Sequence, residues 1–122
     1  MNSPQILLVD DEPNLVMSLE FLLRKNGYHV SIARNGMEAL EAIDRTPFAV
    51  VLLDVTMPDV DGHQVCHYVR QRSDRQATKV IFLSAKSEEA DVRKGYELGA
   101  DLYIAKPFST RQLMEQVRTL VG

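Results

Sequence analysis

The chain has 122 residues, 45% hydrophobic and 25% charged, the balance of one soluble globular domain (residues 1–122) and not of a disordered or membrane-embedded chain. The formal charge is −3 and Lys and Arg are scattered, so the basic stripe of a nucleic-acid binder is missing and direct nucleic-acid binding is not expected. A single cysteine, Cys66, excludes an internal disulfide, Met1 to Gln5 lacks the pattern of a signal peptide, and the apolar stretch Ala49 to Leu53 is far below the roughly 20 residues that cross a bilayer, so a cytoplasmic setting without a membrane partner is expected.

Along the chain, short β-branched apolar runs alternate with segments whose apolar residues fall three and four apart, which predicts an α/β domain with a parallel sheet. The strands are expected at Gln5-Val9, His29-Ala33, Ala49-Leu53, Lys79-Leu83 and Leu102-Ala105. Runs such as Ile6-Leu7-Leu8-Val9 are apolar at successive positions, as strands covered by helices on both faces are. The first helix is expected to start at Pro13, bury Leu15, Val16, Leu19, Leu22 and Leu23, and stop at Asn26-Gly27. The second follows Asn35-Gly36 and buries Ala39, Leu40 and Ile43. The third begins near Gly62, turns Val65, Cys66 and Val69 inward and leaves His63, His67 and Arg70 on a solvated face. The fourth runs from Ser87, with Glu88, Glu89 and Asp91 near its positive end, to Gly99. The last opens with Ser109 and Gln112 at capping-box spacing and buries Leu113, Val117 and Leu120.

In open parallel sheets ligands sit beyond the carboxyl ends of the strands, so the residues ending each run carry the information. Here they are polar: Asp10-Asp11, Asp54, Ser84 and Lys106-Pro107. Right-handed crossovers bring these ends to one rim. Three carboxylates repel unless a cation joins them, and an all-oxygen donor set favours a hard ion such as Mg²⁺. Lys106 adds a second positive charge and Ser84 a hydroxyl, a combination suited to a phosphoryl group, with Asp54 as the nucleophile. Taken singly, Asp10-Asp11-Glu12 reads equally as acids decorating a helix N-terminus, Ser84 as a strand end and Lys106 as a solvated loop charge. His63 and His67 stand four apart, but without Cys or acid partners at ligand spacing a zinc site is not expected.

These residues match a family. Asp10-Asp11 after an apolar strand, Asp54 followed by Met57-Pro58 and Asp61-Gly62, Ser84-Ala85, Gly99-Ala100-Asp101 and Lys106-Pro107-Phe108 together resemble the response-regulator receiver domains of two-component signalling, the CheY-like fold, from Ile6 to Val121. The resemblance implies a doubly wound sheet of five parallel strands in the order 2-1-3-4-5, with five helices over both faces. It implies Asp54 as the phosphoacceptor, Asp11 as a direct Mg²⁺ ligand, Asp10 acting largely through metal-bound water, and the Thr56 backbone carbonyl as a further ligand. Lys106 would contact the phosphoryl group, its bond to Pro107 would be cis, and Ser84 with Tyr103 would form a switch that alters the surface of the fourth helix, fifth strand and fifth helix. The implied partners are a sensor histidine kinase or phosphotransfer protein and a downstream output protein, or an output domain beyond residue 122.

The rival reading from another class is a small Mg²⁺-dependent phosphohydrolase that works through an aspartyl-phosphate. Asp54-Val55-Thr56-Met57-Pro58 lacks the second acid such enzymes carry, so no independent turnover enzyme is expected. Leu102, Gln112 and Gln116 depart from the pattern of the winged-helix regulators that dimerise through this face. Thr56 and Lys86, two residues beyond Asp54 and Ser84, are expected to flank the path of hydrolytic water and to tune the lifetime of the acyl phosphate.

Overall fold

The computed structural model describes residues 3–57, 59–86 and 88–121. Its elements in chain order are β1 (Gln5–Val9), α1 (Pro13–Lys25), β2 (His29–Ala33), α2 (Gly36–Arg45), β3 (Val50–Asp54), α3 (Gly62–Gln71), β4 (Lys79–Ser84), α4 (Glu89–Glu97), β5 (Leu102–Ala105) and α5 (Thr110–Val121), with a 3-10 turn at Ser73–Arg75 before β4. The five strands pair in parallel in the order β2-β1-β3-β4-β5, as expected.

Because both faces are covered, the central strands are apolar throughout, and the two-residue pleat divides them between two cores. Ile6, Leu8, Val50, Leu52, Ile81 and Leu83 face α1 and α5 and pack on Leu19, Leu23, Leu113 and Val117. Leu7, Val9, Val51, Leu53, Val80 and Phe82 face the opposite way and pack on Ala39, Ile43, Val65, Cys66 and Val69 of α2 and α3. The same alternation carried to the strand ends decides which face each polar residue joins.

Local chemistry accounts for the helix boundaries. Pro13 occupies the first turn of α1. Asn35 caps α2 by accepting from the Glu38 amide at 2.9 Å, and Asp61 with Gln64 forms a reciprocal capping box on α3. Ser109 Oγ accepts from the Gln112 amide at 3.3 Å at the start of α5.

Several sequence expectations need correction. β3 starts at Val50, one residue later than expected, and both β3 and β4 end one residue further than the apolar runs, because the ladder continues through Asp54↔Leu83 and Ser84↔Ala105. α4 begins at Glu89 with Glu88 as its N-cap; Ser87, expected to open it, and Pro58 lie outside the described residues. Leu15, Val16, Leu22, Leu40 and Leu120 are half-buried at the rims of the cores.

Arg70 does not lie on a solvated face. Its guanidinium donates to Gly99 O at 2.9 Å, to Thr78 O at 2.7 Å and to Asp101 Oδ2 at 2.8 Å. Asp101 Oδ2 also accepts from the Val80 amide at 2.8 Å, so one ion pair fastens the turn before β5 to α3 and to the start of β4. Replacing Arg70 by Ala leaves two carbonyls and a half-buried carboxylate short of donors. Urea unfolding of Arg70→Ala is expected to show a loss of roughly 1–3 kcal/mol with an unchanged slope; wild-type stability would show that the clamp contributes nothing.

Candidate functional site

Asp10 directly follows β1 and Asp54 closes β3, and the two strands are hydrogen-bonded neighbours with Val9 opposite Leu53. Counting in twos, Asp10 continues the Ile6, Leu8 row and Asp54 the Val50, Leu52 row, so both carboxylates leave the sheet on the α1/α5 side. Lys106 continues the Leu102, Ile104 row of β5 to that same side. Carboxylate oxygens of Asp10, Asp11 and Asp54 all come within 4.8 Å of one another.

Protein donors are divided unequally among them. Asp10, 1% exposed, accepts from Lys106 Nζ at 3.0 Å through Oδ2 and from the Glu12 amide at 3.0 Å through Oδ1. Asp54, 8% exposed, has the same ammonium at 3.9 Å from Oδ1, beyond hydrogen-bonding reach. Burial therefore dominates the Asp54 carboxyl and, with the negative charges of Asp10 and Asp11, outweighs Lys106 and the Thr56 amide, raising its pKa to about 6. The donor set is oxygen only, electron-rich and short of positive charge, which fits a hard divalent cation such as Mg²⁺. Asp10, Asp11 and Asp54 could hold one from their side chains, and the exposed Thr56 stands two residues beyond Asp54.

Ser84 and Tyr103 take the other parity, with Val80 and Phe82, and face the α4 side. Ser84 Oγ accepts from the Lys86 amide at 3.0 Å, while the Tyr103 hydroxyl donates to the Lys86 carbonyl at 2.6 Å. The two side chains therefore grip opposite ends of one residue. The Tyr103 ring lies 5.8 Å from Phe82 and fills the space beside Gly95, where a Cβ would come within 2.8 Å of Tyr103 Cδ2. Lys106 is joined to Pro107 by a cis peptide bond.

Three residues escaped the sequence reading. Tyr96 of α4 accepts from the backbone amide of Tyr103 at 3.1 Å, satisfying an outward donor of the sheet's last strand. Asp59 binds the start of α2. His63, expected in solvent, is half-buried edge-on to Phe82 at 5.5 Å, and its Nε2 finds no partner among the described residues. Burial and the nearby Lys94 lower its pKa, which Asp61 only partly offsets. His67, one turn further along α3, is exposed.

The chain belongs to the response regulator receiver domain family, whose family model matches residues 6–118. It is 40% identical over 116 residues to the sensory transduction protein RegX3 of Mycobacterium tuberculosis, covering 95% of this chain and 50% of that protein. The chain thus spans about half the length of the curated relatives it matches. Among solved structures it superimposes on a CheY-like receiver domain from Methanospirillum hungatei with a TM-score of 0.92 at 28% identity, covering 98% of this chain and 94% of that one. The receiver domain of the sensor histidine kinase PA1611 from Pseudomonas aeruginosa, solved with a magnesium ion coordinated in its active-site cleft, gives 0.89 at 27% identity and 99% coverage of both chains. The chain is therefore a receiver domain of the two-component response-regulator type. No helix among the described residues is long and apolar enough to cross a membrane.

A carboxyl raised from 3.8 to about 6 by folding holds a proton that the unfolded chain has lost, so its contribution to stability is complete below about pH 4 and disappears as pH rises through about 6. In chelator at pH 7.5, Asp54→Asn should exceed wild type in stability by roughly 1–3 kcal/mol, and the gap should close toward pH 4. Parallel pH profiles of the two proteins would show that Asp54 is not strained.

Proposed function

We propose that this receiver domain accepts a phosphoryl group on Asp54, and the observation that carries the reading is the convergence of Asp10, Asp11 and Asp54 within 4.8 Å around a Lys106 ammonium. Asp54 is buried at the end of a strand with the Lys106 ammonium beyond hydrogen-bonding reach, and its carboxyl is raised to about 6, which suits it to act as the nucleophile. Its oxygen forms a bond to phosphorus as the phosphorus–nitrogen bond of a phosphohistidine breaks; the electron pair leaves with the imidazole, which takes a proton from water. A bound Mg²⁺ supplies charge neutralisation for the three carboxylates and the transferring oxygens. Asp11 and Asp54, with the Thr56 carbonyl, would hold it directly, and Asp10 would act largely through its water. That a relative of the same fold carries magnesium in its cleft supports this assignment.

Lys106 lies between Asp10 and Asp54 and moves toward the new phosphoryl oxygens. Ser84 donates its hydroxyl proton to one of them, and Tyr103 transmits the change through Lys86 to the α4-β5-α5 surface. There a groove of about 390 Å³, lined by Leu102, Ile104, Phe108, Gln112 and Gln116, offers an apolar floor with a polar edge to an output partner. The donor is a sensor histidine kinase or phosphotransfer protein in the cytoplasm; the output is a separate protein or a domain beyond residue 122. The role is signalling and not turnover of a free substrate.

Incubation with acetyl phosphate and Mg²⁺, followed by mass spectrometry, should add one phosphoryl group to wild type and none to Asp54→Asn; equal labelling of both proteins would refute the assignment. Ser84→Ala should still be phosphorylated while binding its output partner at least about tenfold more weakly. Full binding by the phosphorylated variant would remove Ser84 from the switch. Lys86 is exposed two residues beyond Ser84, and its side chain hinders the hydrolytic water. Phosphoryl decay should accordingly quicken in Lys86→Ala, and an unchanged or slower decay would contradict that role.

A further inference from the structure

The residues that follow Asp54 carry the Thr56 carbonyl, so whatever fixes them also fixes the cation site. One anchor is local: the Gly62 amide donates to Val55 O at 2.8 Å as α3 begins. The other reaches far along the chain. Asp59 Oδ1 accepts from the Gly36 amide and Oδ2 from the Met37 amide, each at 3.0 Å, so one carboxylate takes two of the free donors at the start of α2. Asn35 already caps that helix through the Glu38 amide, and Glu38 returns a bond to the Arg34 amide at 3.0 Å. Asp59 is thus an additional cap supplied from outside the helix. The contact is close: a Cβ on Gly36 would lie 2.1 Å from Val60 O and 2.6 Å from Val60 Cβ. Burial would raise the Asp59 carboxyl, yet the Met37 and Gly36 amides prevail and hold it below the ordinary range.

We propose that Asp59 is a positioning residue for the cation and acceptor site, clamping the chain beyond Asp54 onto the N-terminus of α2 so that the Thr56 carbonyl stays aimed at the carboxylate cluster. The inference rests on the reading of Thr56 as a ligand. Asn35 takes the Glu38 amide, whereas the Gly36 and Met37 amides are taken by a side chain from the segment that follows the acceptor. Each Asp59 oxygen takes a different amide, and paired bonds fix orientation as well as distance. Asn35 and Asp59 therefore separate the two roles: both cap α2, but only Asp59 belongs to the chain that follows the acceptor.

The test is a calorimetric Mg²⁺ titration of the full chain as wild type, Asp59→Ala, Asp59→Asn, Gly36→Ala and Asn35→Ala, with a thermal melt of each. Asp59→Ala should weaken Mg²⁺ binding by about tenfold, the scale on which outer residues orient metal ligands. Gly36→Ala should weaken it in the same direction by pushing Val60 away, and Asp59→Asn, with one oxygen acceptor left, should fall between wild type and Asp59→Ala. Asn35→Ala should lower the melting temperature yet leave the affinity within about twofold of wild type. Wild-type affinity in Asp59→Ala, or the same loss in Asn35→Ala, would overturn the proposal. If Asp59→Ala does not fold, Asp59→Asn decides by the same criterion. A wild-type chain that binds no Mg²⁺ would instead overturn the reading of the carboxylate cluster, and this inference with it.

Discussion

Asp10 and Asp54 stand at the ends of two adjacent strands whose other residues are almost wholly buried, and a single ammonium, that of Lys106, serves both. That shortage of positive charge is the constraint from which the rest of the site follows. The ladder between β1 and β3 fixes how close the two carboxylates lie, and neither can retreat into water without breaking it. Lys106 settles at 3.0 Å from Asp10 and 3.9 Å from Asp54, so the deficit falls on Asp54. A buried acid left short of donors favours its proton, a cation or a covalent partner that brings its own charge-binding groups. In the proposed reading the protein tolerates this strain in its resting state because phosphoryl transfer draws on it.

Much of the fold was legible because the sequence is locally consistent. Pro13 marks a helix start through its fixed φ, Asn35, Asp61 and Ser109 do so through their own hydrogen bonds, and the apolar runs mark strands within a residue. What those runs could not reveal is which residues face which core, since Ile6-Leu7-Leu8-Val9 is apolar on both faces. The ladder supplies that division, and with it the sorting of Asp10, Asp54 and Lys106 to one side and Ser84 and Tyr103 to the other. The residues misplaced or missed share a cause. Arg70, His63, Asp59 and Tyr96 owe their positions to partners far away in sequence or on another element: Thr78, Gly99 and Asp101, Phe82, Gly36 and Met37, and the Tyr103 amide. Helical periodicity assigns Arg70 and His63 to solvent, where packing shows otherwise, and it carries no sign of the bonds that the exposed Asp59 and Tyr96 make.

The sorting by parity places Asp10, Asp54 and Lys106 on one side of the strand ends and Ser84 and Tyr103 on the other, and in the proposed function Lys86 links that second pair. Its amide is held by Ser84 and its carbonyl by Tyr103, and Tyr103 is in turn held at its own amide by Tyr96. A hydroxyl has one proton to give and two lone pairs to share. In accepting from Lys86, Ser84 keeps its proton free, in the proposed function for a phosphoryl oxygen on Asp54. Any shift of that hydroxyl toward the acceptor either draws the Lys86 amide with it or releases it, and each course disturbs the carbonyl on which Tyr103 rests. Tyr103 packs against Phe82 and fills the notch at Gly95, so displacing its hydroxyl also disturbs the contact between β5 and α4. The proposed coupling needs no long-range change of fold, because the backbone of Lys86 is bonded at its amide by Ser84 and at its carbonyl by Tyr103.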